Sequence, residues 1–293
     1  MAIDAVNWTT SIGDGPLLVF GGPYSNLRAT EAVRREADRL GFPPNRVICT
    51  GDVVAYAAEP EETVTAIRAW GCQIIAGNCE DQLGAGAADC GCGFEEGTAC
   101  DLLAKGWYPF ADARVSEGGR AWMRGLPKFA RFTLGGRSFL VLHGGTEMIN
   151  RFIFGSQGDL IRDELEHAST DVVIAGHAGI PFAHRSGDKL WFNPGVIGMP
   201  ANDGTPDVWY GLITAKSATI EFALKRLKYD HAGAAASMRR WAHVDGYART
   251  LVTGLWPSLD VLPEAEKAET GERLCPRTVS MPRMDIASRE AAA

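Results

Sequence analysis

Residues 46–52 read Arg-Val-Ile-Cys-Thr-Gly-Asp. A short apolar run that stops at Gly-Asp marks a buried strand delivering a carboxylate into a loop. The same grammar recurs on both sides. Upstream, PLLVF (16–20) runs into Gly21-Gly22, and downstream CQIIA (72–76) runs into Gly77-Asn78. Further on, RSFLVL (137–142) ends at His143-Gly144-Gly145, and DVVIA (171–175) ends at Gly176-His177. Helical patterns lie between these runs. Asn26 can cap LRATEAVRREADRL, where Leu27, Val33, Ala37 and Leu40 follow helical spacing and Gly41 supplies the stop. Pro60 opens EETVTAIRAW, which Gly71 ends, and SQGDLIRDELEHAS (156–169) is amphipathic. Strand, loop and helix in repetition predict an α/β fold with helices packed on a sheet. Polar residues fall just past the strand ends, where open α/β sheets gather their ligands.

The later chain reads as strands at 189–192 and 208–215 around a turn-rich loop, then an alternating strand at 219–228. Helices are expected at 231–243 and 245–253. Trp107, Tyr108, Phe110 and Trp122 are expected to form a hydrophobic cap. One domain is expected over 1–262, with 84–110 as a cysteine-containing insertion or cap. The charged, aromatic-poor stretch 263–293 is expected to be a flexible tail.

The whole-chain numbers narrow the function. The 293 residues carry a net charge of −7, with 46% hydrophobic and 22% charged residues. That balance argues against a generic binder of nucleic acid or anionic membrane. No apolar run approaches the ~18 residues of a membrane helix. The start, MAIDAVNWTTSIGDG, has neither a basic nor an apolar signal region. With seven cysteines, an odd number, this predicts a cytoplasmic protein with reduced thiols.

Four strand ends offer Asp52, Asn78, His143 and His177. A carboxylate, an amide oxygen and two imidazoles suit Mn, Fe, Zn or a similar divalent ion. Singly, each is an ordinary loop residue. In order and context, Gly51-Asp52, Gly77-Asn78, His143-Gly144, Gly176-His177 and Asn193-Pro194-Gly195 resemble the calcineurin-like metallophosphoesterase family, in its small bacterial phosphodiesterase branch. GDVVAYAAEP, NPGVIGMPANDGTPDVWYGLI and ALKRLKYDHAGAAASM extend the resemblance over roughly residues 16–262. It implies a four-layer α/β/β/α sandwich, two facing mixed sheets flanked by helices, with a metal site at the strand ends. It also implies a small phosphorylated molecule as substrate.

The departures from the family pattern are selective. Its first motif, Asp-x-His, is replaced by Gly22-Pro23-Tyr24, followed by Ser25-Asn26. Its third, Gly-Asn-His-Asp or -Glu, reads Gly77-Asn78-Cys79-Glu80, and its fifth, Gly-His-x-His, reads Gly176-His177-Ala178-Gly179. By the resemblance, one metal sub-site keeps only Asp52, while the other keeps Asp52, Asn78, His143 and His177. A mononuclear site is therefore expected, or a dinuclear one rebuilt with other ligands. Tyr24, Asn26 and Tyr56 are candidates for the substrate side, and Tyr24 could alternatively act as a phenolate ligand.

Cys79 stands where the family places its general-acid histidine. It is the candidate catalytic group, though an ordinary thiol pKa of about 8.5 makes it a poor acid at neutral pH. It opens a cluster with Cys90, Cys92 and Cys100. Three readings stay open: a second, soft site holding Zn or Fe through thiolates, a dithiol–disulfide pair, or simple packing. The functional expectation is a divergent metal-dependent phosphomonoesterase or phosphodiesterase. The alternative is a non-hydrolytic metal-binding, redox or sensing protein on the same fold.

Overall fold

The computed structural model describes residues 3–284. Its strands are β1 (Val6–Asn7), β2 (Leu17–Phe20), β3 (Val47–Cys49), β4 (Gln73–Ile74), β5 (Ala130–Leu134), β6 (Arg137–Val141), β7 (Val172–Ile174), β8 (Phe182–Ser186), β9 (Lys189–Asn193), β10 (Val208–Ala215), β11 (Thr219–Leu227) and β12 (Arg277–Pro282). They form two six-stranded sheets, ordered β1-β5-β6-β7-β9-β8 and β12-β11-β10-β2-β3-β4. Both are mixed, and each has a parallel trio: β2-β3-β4 in one and β6-β7-β9 in the other.

Side-chain alternation explains the layers. On β2, Leu17 and Val19 face the other sheet, while Leu18 and Phe20 face helices. The space between the sheets is filled by Ile48, Phe132, Phe139, Phe192, Trp209 and Phe222, all buried. Full burial of each such side chain contributes roughly 1.5–3 kcal/mol. Outside the second sheet, Ala29, Val33 and Ala37 of the Leu27–Leu40 helix pack with Val64, Ile67 and Trp70 of the Pro60–Trp70 helix. Outside the first, Ile161 and Leu165 of the Gly158–Ala168 helix cover Leu140, Val173 and Trp191. The result is the expected α/β/β/α sandwich.

Several elements differ from expectation. The stretch after Pro263 carries a short helix, Glu264–Ala268, and then β12, which pairs antiparallel along β11. Met281 of β12 is buried among Ile220 and Phe222, so this apolar contact outweighs the charged composition. The rest of the expected tail, 285–293, lies outside the described residues. β8 was not foreseen; Phe182–Ser186 is polar but pairs with β9. The expected helix over 231–243 ends at Met238, and 245–253 divides into Asp245–Ala248 and Thr250–Thr253. Trp107, Tyr108 and Phe110 lie on the Ala99–Asp112 helix and join the core outside the second sheet. No helix among the described residues is long and apolar enough to cross a membrane.

Candidate metal centre

The two parallel trios end side by side. Asp52 follows β3, Asn78 follows β4, His143 follows β6 and His177 follows β7. The loops after β3 and β4 touch backbone to backbone. A Cβ on Gly51 would strike the Gly77 backbone, and one on Gly77 would strike the Asp52 side chain. Gly51 also sits at φ 94°, which favours glycine.

The donors converge tightly. His143 Nε2 lies 3.1 Å from Asp52 Oδ2, 3.1 Å from Asn78 Oδ1 and 3.0 Å from His177 Nδ1. His177 Nδ1 lies 3.9 Å from Asp52 Oδ2. Three of the four are held from behind by a second partner, while His177 Nε2 is buried without one among the described residues. His143 Nδ1 donates to the Thr50 carbonyl at 2.7 Å, Asp52 Oδ1 accepts the Cys79 N–H at 3.1 Å, and Asn78 Nδ2 donates to the Cys90 carbonyl at 2.9 Å. Such outer contacts are how metal ligands are oriented. With Nδ1–H committed to Thr50, His143 presents a lone pair from Nε2. That lone pair meets an amide oxygen and a carboxylate oxygen, which also only accept. An arrangement of acceptors facing acceptors calls for a cation at its centre. Donors about 2.0–2.2 Å from one ion and at right angles lie about 3 Å apart, which is the spacing from His143 Nε2 to the other three. The residues therefore fit a divalent ion.

Without an ion, the same demand for positive charge falls on His143. Burial opposes the charge on His143, but the Asp52 carboxylate outweighs it and raises the imidazole pKa. Burial likewise opposes the Asp52 charge, and His143 reverses this, lowering the carboxyl. His177 is pushed down to about 3, by burial and then by the His143 charge, so its ring stays neutral and able to ligate.

Glu80, to which the sequence reading assigned no role, braces the centre. Its buried carboxylate accepts N–H bonds from Asp52 (2.7 Å), Val53 (2.8 Å), Gly77 (2.9 Å) and, more weakly, Val54 (3.4 Å). It thus ties together the loops that carry Asp52 and Asn78. Burial and the Asp52 charge raise its own carboxyl to about 7. The sequence signals were its place as the last residue of the third motif and at the third position of a helix, where a side chain can reach back to the N-cap.

The remaining candidates separate. Cys79 is buried in the core, and burial followed by the Asp52 charge lifts its thiol well above the ordinary range. It therefore makes a weaker acid or nucleophile than its position implied. Cys90 and Cys92 are paired as a disulfide, and Cys100 lies apart, beside Ser258. The four sulfurs do not form one soft site. The chain leads the Asn78–Ala85 helix one way and opens the Ala99–Asp112 helix elsewhere. Asn26 is engaged in the frame: its Oδ1 accepts from Ala29 N–H as a helix cap, and its Nδ2 donates to the Gly198 carbonyl and Tyr229 hydroxyl. Tyr24 and Tyr56 line a cleft whose inner end is His177. Burial and then the Asp52 charge push the Tyr24 hydroxyl well above its ordinary value, which opposes a phenolate ligand. Tyr24 (φ 51°), Ser25 (57°), Asp52 (55°) and Tyr56 (25°) all hold the left-handed backbone region without being glycine.

Known proteins give these features a lineage. Residues 25–217 match the calcineurin-like phosphoesterase superfamily domain. An uncharacterized protein of Methanocaldococcus jannaschii is 25% identical over 232 residues, covering 73% of this chain and 88% of that protein. A metallophosphoesterase of Sphaerobacter thermophilus superposes with a TM-score of 0.64 at 20% identity, covering 83% of this chain and 100% of that one. A hypothetical protein of Pyrococcus horikoshii superposes with a TM-score of 0.67 at 16% identity, covering 82% of this chain and 98% of that one. The match spans most of the chain and includes the loops that carry Asp52, Asn78, His143 and His177, so the chain belongs to the calcineurin-like phosphoesterase superfamily.

Proposed function

We propose that this protein is a metal-dependent phosphoric ester hydrolase working from one metal sub-site, with Asp52, Asn78, His143 and His177 as ligands. The observation that carries the reading is the inward convergence of four lone-pair donors, three of them fixed from behind. A bound Mn, Fe or Zn would supply a Lewis acid and lower the pKa of a coordinated water. The chain's own residues set the frame for this. Asp52 contributes the negative charge, the neutral His177 offers its ring nitrogen from the cleft side, and Glu80 holds the two loops in place. The Tyr24 hydroxyl, kept protonated beside Asp52, is available to donate to an ester oxygen. Elemental analysis of protein purified without chelator should find about one hard divalent ion per chain, lost in His177→Ala. Aryl phosphodiesters and phosphomonoesters should be turned over only with metal present. No metal-dependent turnover on either class refutes the hydrolase.

One contact favours a second reading, a metal-binding redox or sensing protein on the same fold. Asn78, whose Oδ1 faces the metal centre, places its Nδ2 at 2.9 Å from the Cys90 carbonyl and 3.4 Å from Cys92 Sγ. Metal affinity that changes on reduction of the Cys90–Cys92 pair, in a protein without esterase activity, would select this reading.

A further inference from the structure

The cleft that His177 lines is small, about 70 Å³, and mostly apolar. One wall is a run of touching rings from three separate segments: Tyr24 against Tyr56 at 4.8 Å, and Tyr56 against Tyr247 at 4.6 Å between centroids. Opposite them, Phe94 stacks with Phe152 at 6.2 Å, and Phe152 lies 4.2 Å from the His177 ring. Trp256 is fixed at the rim by its indole N–H, which donates to the Pro200 carbonyl at 2.7 Å. Among the described residues that line the cleft, none is Lys, Arg, Asp or Glu. A second phosphate would find no counter-charge there, and a cation would find no carboxylate. The rings are held by one another, so a planar apolar group would enter a preformed slot at little ordering cost.

Resting on the hydrolase reading above, we infer that this cleft binds the organic half of the ester, and that the substrate class is a phosphoric ester carrying an uncharged aromatic group. The phosphoryl end lies toward His177 and the aromatic end toward Tyr247 and Trp256. Nucleoside polyphosphates and small alkyl phosphates are disfavoured, the first by charge and the second by lost contact.

Calorimetric titration of the Mn-loaded protein with phenylphosphonate and with methylphosphonate tests this. Phenylphosphonate should bind about tenfold or more tightly, from the added apolar burial. Tyr247→Ala and Trp256→Ala should bring the ratio below about threefold, while Trp256→Phe, which keeps a ring, should retain most of it. Equal affinity for the two phosphonates, an unchanged ratio in both alanine variants, or tighter binding of pyrophosphate or phosphocholine would overturn the assignment. Titrating the metal-free protein with 2-naphthol separates the two readings. Naphthol binding that is lost in Tyr247→Ala, alongside no phosphonate binding, sinks the hydrolase and upholds the cleft assignment. Phosphonate binding without aromatic preference and without naphthol binding does the reverse.

Discussion

Replacing Glu80 by alanine is expected to loosen the metal centre without touching a ligand. The carboxylate accepts three short N–H bonds, from Asp52, Val53 and Gly77, at 2.7–2.9 Å, in a fully buried position. Each buried N–H left without an acceptor costs about 1–3 kcal/mol. Taking the low end for each, to allow for water entering the vacated space, the total is about 3 kcal/mol. Glu80→Gln should fall between wild type and alanine. Its single carbonyl oxygen can serve one pair of donors, while its NH2 group faces the other pair. The assay is urea denaturation at pH 8 on metal-free protein, paired with calorimetric Mn titration. Affinity should fall in the same order as stability, because the freed loops carry Asp52 and Asn78. A loss below about 1 kcal/mol for alanine, with Mn affinity unchanged, would refute the idea that Glu80 joins the two loops.

Gly77→Ala is expected to weaken Mn binding by at least about tenfold, because the new methyl would displace Asp52, although φ −89° itself suits alanine. Calorimetric titration reads the loss. Asp171→Asn should cost about 1–3 kcal/mol at pH 7, read by urea denaturation, since Asp171 accepts from Ser138 N–H and Oγ–H and from Arg137. Burial alone would raise the Asp171 carboxyl, but those contacts lower it overall. Its contribution is therefore fully present above the ordinary value of about 3.9 and is lost as pH falls through the lowered folded value. The gap between wild type and variant should narrow below about pH 4. Met281→Ala, in the last strand, should destabilise by about 2–4 kcal/mol in thermal or urea melts. A change under about 0.5 kcal/mol would mean that β12 adds little to the fold.

What could be read in the sequence were features that act over short range. Apolar runs ending at Gly-Asp, Gly-Asn or Gly-His mark strand ends without help from the rest of the chain, and the four donors followed from them. The bracing role of Glu80 was opaque because, Gly77 apart, its partners are backbone N–H groups some 26–28 residues away, and a backbone donor leaves no letter in the sequence. The cysteines misled for the opposite reason. Nearness in sequence is nearness in space for Cys79, Cys90 and Cys92, which gather at Asn78 with the last two paired as the disulfide reading had it, but the chain carries Cys100 away and no four-sulfur site forms. β12 was hidden by composition. Arg277, Thr278 and Ser280 set its polar appearance, while a single inward Met281 docks on β11.

The left-handed residues around the centre bear on how such a chain can change over generations. Each non-glycine residue held at positive φ costs roughly 1 kcal/mol or more, and Tyr24, Ser25, Asp52 and Tyr56 are all of this kind. Selection for stability alone would drift these positions toward glycine. Three of them, Tyr24, Asp52 and Tyr56, carry the side chains that face the candidate metal centre or the cleft. Persistence and chemistry thus pull the same few codons in opposite directions. A lineage freed from its chemistry should record that release first at positions 24, 52 and 56, well before the β-sandwich beneath them changes.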